Sequence, residues 1–173
     1  ETLDLHKSTG VTEANIIYDL FEGLVVFSAD GLAVPGAAES WDVSDDGLTY
    51  TFRLRADGKW SNGDAVTAED FVYSLRRAVD PATAADYAPV LAPIKNAEDI
   101  IAGKTPPDQL GAEAVDAKTL KISLKAPTPY FIGLMAHHIS WPVHKATVEK
   151  FGDEWTRPGN SVTNGAYAIA EWV

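Results

Sequence analysis

The stretch Leu48-Thr49-Tyr50-Thr51-Phe52-Arg53-Leu54-Arg55 decides the fold class. Leu48, Tyr50, Phe52 and Leu54 fall on one face and Thr49, Thr51, Arg53 and Arg55 on the other, the period-two alternation of a half-buried strand. Asp45-Asp46-Gly47 is a turn signal just before it, so residues 38–43 are expected as the other arm of a hairpin. Leu120, Ile122 and Leu124 alternate with Lys121, Ser123 and Lys125 in a second strand of the same kind. Residues 25–27 form a short apolar strand candidate, closed by the Asp30-Gly31 turn.

Helical spacing surrounds these strands. Ile16, Ile17, Leu20, Phe21 and Leu24 predict a helix over 12–24, with Thr12 as N-cap and Glu13 at the positive end of its dipole. Thr67 followed three residues later by Asp70 is a variant capping box, and Phe71, Val72, Leu75 and Val79 continue it as a helix that must stop before Asp80-Pro81. Residues 82–93 read as loop or short helical turns, 97–101 as a short helix ending at Gly103. The apolar run 130–136 after Pro127 and Pro129 reads as a helix, as does 143–151 with Gly152 after its end. Asn164-Gly165 is a turn, and 166–173 alternates like a strand. Strands and helices mix without strict βαβ alternation, which places the chain between α/β and α+β, with a small mixed sheet.

Composition narrows the function. The chain has 173 residues, 46% hydrophobic, and a formal net charge of −11. Phosphate backbones and anionic lipid surfaces repel such a protein, so nucleic acid is excluded as a partner. No apolar run approaches the roughly 20 residues of a membrane span. Absence of cysteine removes disulfides, thiolate metal sites and cysteine nucleophiles. The first residues show neither an initiator Met nor a secretory signal, so either a signal has been removed or the sequence begins inside a longer chain.

Chemical motifs are sparse. His137-His138, His144 and His6 lack metal-ligand spacing and read as packing or surface residues. Gly103-Lys104-Thr105 imitates a P-loop tail, but Pro106-Pro107 forbids the helix that must follow. Asp45-Asp46, Glu69-Asp70 and Asp153-Glu154 sit at turns and helix ends, where capping and solubility account for them. The aromatic supply, including Trp41, Trp60, Tyr87, Tyr130 and Trp141, suits a binding cleft, although core packing is the commoner role for any one ring.

One resemblance spans the chain. Ala38-Glu39-Ser40-Trp41, the strand from Asp46 to Arg55, Lys59-Trp60-Ser61-Asn62-Gly63-Asp64 and Thr67-Ala68-Glu69-Asp70-Phe71-Val72-Tyr73-Ser74 closely resemble the signature of family 5 extracellular solute-binding proteins, the peptide receptors of ABC importers. Asp19-Leu20-Phe21-Glu22-Gly23-Leu24, Val148-Glu149-Lys150-Phe151-Gly152-Asp153 and Val162-Thr163-Asn164-Gly165-Ala166-Tyr167 extend the match.

That resemblance implies part of a type II periplasmic-binding-protein fold, in which two lobes close over a peptide. Residues 1–24 would open the first lobe, 25–159 would be an extra family-specific α+β domain, and 160–173 would return to the first lobe, the rest lying beyond this chain. It implies a periplasmic substrate-binding component, or a lipid-anchored extracellular one in a Gram-positive organism. The expected partners are an oligopeptide and the importer's permease; the expected state is a monomer with no cofactor, metal or catalysis. Ligand-contacting positions carried over are Thr9, Gly10 and Val11, whose main chain pairs with the peptide, and Tyr87, which lines the cleft. Thr9 stands where oligopeptide receptors can carry an acidic residue. The alternatives are another solute of the same family (a dipeptide, a nickel chelate, haem or an oligosaccharide) or a stand-alone interaction domain.

Overall fold

A computed structural model describes residues 2–171. The alternating stretch forms β4 (Thr49–Leu54), the second strand of a four-stranded antiparallel sheet ordered β3-β4-β6-β5. β3 (Ala38–Val43) is its hairpin partner, β6 (Thr119–Ser123) flanks its other side, and β5 (Ala112–Asp116) closes the sheet. Tyr50 faces Ile122 and Phe52 faces Leu120 across β4 and β6, and all four are buried. At the β3–β4 turn Gly47 takes φ +70°, while the Asp46 carboxylate accepts from the Ser44 hydroxyl at 2.6 Å and the Leu48 N–H at 3.0 Å. β1 (Val25–Phe27) and β2 (Ala33–Pro35) form a separate hairpin.

α2 (Ala68–Val79) lies against the sheet on the β5–β6 side and buries Phe71, Val72, Leu75, Ala78 and Val79. Its start is the expected box: one Asp70 carboxylate oxygen accepts from the Thr67 N–H at 2.8 Å, the Thr67 hydroxyl at 3.0 Å and the Trp60 indole N–H at 3.2 Å. α3 (Ala97–Ile101), α4 (Phe131–Leu134) and α5 (Lys145–Phe151) are short; β5 and β6 lie between α3 and α4, and a 3₁₀ turn lies between α4 and α5. One continuous apolar cluster runs from Leu3 through Phe52 and Leu75 to Trp155.

Four expectations need correction. α1 is Val11–Leu20, four residues shorter at its end than the periodicity suggests, and its N-cap is Gly10 instead of Thr12. Its end is set from outside: the Gly23 and Leu24 carbonyls accept the N–H groups of Ala37 and of Gly36 and Ala38, and the chain leaves the helix extended at Phe21. The apolar run 130–136 yields only the single turn α4, followed by a 3₁₀ turn at His138–Ser140. Residues 166–171 form no strand: the Tyr167 N–H is drawn to the Asp19 carbonyl, just after the Gly165 N–H donates to the Leu20 carbonyl, both at the end of α1. Trp172 and Val173 of that expected strand lie outside the described residues. β2 and β5 escape the period-two reading; β5 carries two alanines and two acids, and Val115 projects outward at a register shift.

The Asn164-Gly165 turn does more than reverse the chain. Asn164 accepts the Glu22 N–H at 3.1 Å and returns its own amide to the Glu22 carbonyl at 2.9 Å, so its side chain pairs with residue 22 as a strand neighbour would. A Cβ on Gly165 would stand 2.5 Å from the Leu20 carbonyl carbon, so only glycine allows this approach. Asn164→Ala should cost about 2 kcal/mol of stability, the loss of both bonds. A urea melt checks it; a shift below about 0.5 kcal/mol would show that water replaces the amide without loss.

Candidate functional site

The expected ligand-contacting segment lies at the start of α1. Thr9 is exposed, Gly10 is extended (φ −86°, ψ 147°), and Val11 is 79% exposed as the first helical residue. Among the described residues, neither the Thr9 N–H and carbonyl nor the Gly10 N–H takes a partner. A short extended run with unpaired donors and acceptors in solvent is the feature that strand addition requires.

Tyr87 begins the 3₁₀ turn Ala88–Leu91 and is 36% exposed. It meets two histidines edge-on, His137 at 5.0 Å and His138 at 5.9 Å between ring centroids. Tyr18 of α1 stands edge-on to Trp141 at 5.0 Å and His138 at 6.4 Å. The loop carrying His137, His138 and Trp141 thus sits between Tyr87 and the first helix. Sequence reasoning set both histidines aside as packing or surface residues, and no spacing signal distinguished them. Burial and the neighbouring His138 hold His137 down to about 4, and burial lowers His138 as well, so both rings are neutral at physiological pH.

The same loop holds the segment before Thr9. Since carbonyls only accept, His138 Nδ1–H donates to the Leu5 carbonyl at 2.7 Å, and His6 Nε2–H donates to the Trp141 carbonyl at 3.2 Å. Arg77 only donates, so His6 Nδ1 accepts from its Nη1 at 2.7 Å, which makes His6 the neutral Nε2–H tautomer. Arg77 also grips the buried Asp4 carboxylate at 2.5 and 3.0 Å, and the Trp155 indole N–H adds a bond at 3.2 Å. Burial alone would raise Asp4; the bonds and charge of Arg77 prevail and bring it to about 2. Burial, then the Arg77 charge, lowers His6 to about 3.

Beside Tyr18 and Trp141 opens a cavity of about 720 Å³, also lined by Phe21, Glu22, Phe27 and Arg55. Trp141 can approach this closely only because residue 23 is glycine: a Cβ there would stand 2.2 Å from its Nε1. Among the described residues, no group of three or more His, Cys, Asp or Glu is placed to hold a metal, and no helix is long and apolar enough to cross a membrane.

The loop at 137–141 holds both the turn that leads into the unpaired Thr9–Gly10 main chain and the rings around Tyr87, an arrangement suited to a binding module. The chain belongs to the bacterial extracellular solute-binding proteins, family 5, whose profile matches residues 33–173. It is 52% identical to the periplasmic oligopeptide-binding protein OppA of Escherichia coli (strain K12), over 100% of this chain and 32% of that protein. It is 51% identical to the periplasmic murein peptide-binding protein MppA of the same organism, over 99% of this chain and 32% of that one. The crystal structure of Haemophilus influenzae OppA in complex with RPPGFSPFR superposes with a TM-score of 0.96 at 49% identity, covering 99% of this chain and 34% of the other. The chain therefore spans about a third of the length of the relatives it matches, and its mixed fold is a partial type II periplasmic-binding fold.

Proposed function

We propose that the complete protein is the substrate-binding component of an ABC importer, capturing oligopeptides in the periplasm and delivering them to a permease without catalysing a reaction. The unpaired Thr9–Gly10 main chain, directly after a turn held at Leu5 by the same His138 that Tyr87 packs against, carries this reading. Backbone pairing at Thr9, Gly10 and Val11 recognises any peptide, and the rings supply contact area with little dependence on side-chain identity. Thr9 brings no carboxylate, so a peptide's amino group must find its counter-charge elsewhere. We read residues 25–159, with the sheet and α2, as the family-specific domain between two first-lobe segments.

Calorimetric titration of the complete protein with di- to pentapeptides should give saturable heat for several unrelated sequences. Heat with another solute and none with any peptide would overturn the assignment. Tyr87→Ala should weaken peptide binding by about 1 kcal/mol, roughly fivefold, through lost contact area. An unchanged Kd would make Tyr87 a packing residue for His137 and His138.

A further inference from the structure

The cluster of Asp4, His6, Arg77 and Trp155 is buried and charged, and the reading above assigns it no task. Asp4 is 4% exposed and His6 1% exposed. Replacing a buried ion pair with well-packed apolar residues is often neutral or stabilising, so stability alone is a weak reason for this one. What the cluster does have is a position. The Asp4 carboxylate accepts from Arg77, the Trp155 indole and the His6 N–H, while its own carbonyl accepts the N–H groups of Lys7 and Ser8. The result is a tight turn over residues 4–8, pinned to α2 by Arg77, to the segment before residue 160 by Trp155, and to the Trp141 loop by His6 and His138. Thr9, whose main-chain N–H and carbonyl take no partner among the described residues, follows this turn directly.

We propose that Arg77, acting through Asp4 and His6, is a positioning residue for ligand capture: it sets where the Thr9–Val11 main chain meets a peptide, without touching the peptide itself. The inference rests on the peptide-binding reading of that segment. Backbone pairing depends steeply on distance and angle, so small displacements of Thr9 and Gly10 weaken it. A bidentate guanidinium fixes orientation in a way an ammonium does not. Arg77→Lys therefore keeps the charge and loses the register.

The test is a cycle on the complete protein. Wild type, Arg77→Lys and Trp155→Phe, which removes the indole bond to Asp4 together with part of the buried ring packed on Phe21, are titrated with a tripeptide and with the same tripeptide N-methylated at the backbone. All titrations run well below each variant's Tm, where folded fractions are equal and a purely structural loss leaves Kd unchanged. The positioning role predicts that Arg77→Lys weakens the unmodified tripeptide by about 3- to 30-fold, that Trp155→Phe moves Kd in the same direction, and that the N-methylation penalty shrinks in both. Unchanged Kd and penalty in folded variants overturn the proposal while leaving the binding reading intact. If wild type itself binds no peptide, the underlying reading fails instead. Should Arg77→Lys fail to fold, Trp155→Phe decides alone.

Discussion

Phe52→Ala should destabilise the protein by about 3–5 kcal/mol, a large part of the 5–15 kcal/mol typical of a domain. Phe52 is fully buried at the centre of β4, pairs across to Leu120, and lies within 6.4 Å of both Trp41 and Tyr50 ring centroids. Removing its ring leaves a cavity among the Trp41, Tyr50 and Leu120 side chains, which the paired strands hold in place. Arg53→Ala, one residue on and facing solvent, loses only an exposed ion pair to Asp42 and should shift stability by less than about 0.5 kcal/mol. Urea unfolding of the two variants reads the contrast. Similar losses in both would mean that the period-two reading of this strand does not describe its energetics.

Acidification should unfold the protein progressively from just below neutral pH. A histidine held below its ordinary value contributes stability that is present above pH 6.5 and lost as pH falls, because only the unfolded chain takes up the proton. His6, at about 3 in the folded state against an ordinary 6.5, should alone remove about 2 kcal/mol between pH 6.5 and pH 5. His137 and His138 act with the same sign. Asp4, at about 2 against an ordinary 3.8, extends the loss below pH 4, since its folded carboxylate resists a proton that the unfolded one accepts. Unfolding free energy measured from pH 7.5 to 4.5 should fall with a slope of at least one proton. His6→Gln, which keeps a donor and an acceptor but cannot titrate, should flatten that slope by about one proton. A level profile down to pH 5 would show that His6 reaches solvent in the native state.

Much of the sheet was legible because strands with one buried face write their environment into the alternation of residues. Leu48 to Arg55 and Leu120 to Lys125 do so; β5 does not, since its inward positions are the small Ala112 and Ala114 and a register shift turns Val115 outward. Helix starts announced themselves through local chemistry, as at Thr67 and Asp70. The end of α1 did not, because the hydrogen bonds that stop it come from residues 36–38, and those that then seal it from residues 164–167. For the site, the resemblance supplied Thr9, Gly10, Val11 and Tyr87, while His137, His138 and Tyr18 became visible only once the fold placed rings around Tyr87. Arg77 and Asp4 lie 73 positions apart, and no local pattern distinguishes such a pair from two solvated surface charges.

The clamp at residue 164 also bears on chemical ageing. Asn-Gly is the dipeptide most prone to deamidation, a reaction in which the glycine nitrogen attacks the asparagine side-chain carbonyl to form a cyclic imide. In this protein Gly165 N–H is engaged by the Leu20 carbonyl, and both ends of the Asn164 amide are held by Glu22. The same holds at Asn62-Gly63, where Gly63 N–H donates to Trp60 and the Asn62 amide is bonded to Asp64 at both ends. Neither nitrogen can reach its carbonyl without releasing these contacts. Deamidation at the two sites should therefore proceed only as fast as the backbone opens, making the isoaspartate formed at residue 164 a clock for local unfolding at the end of α1.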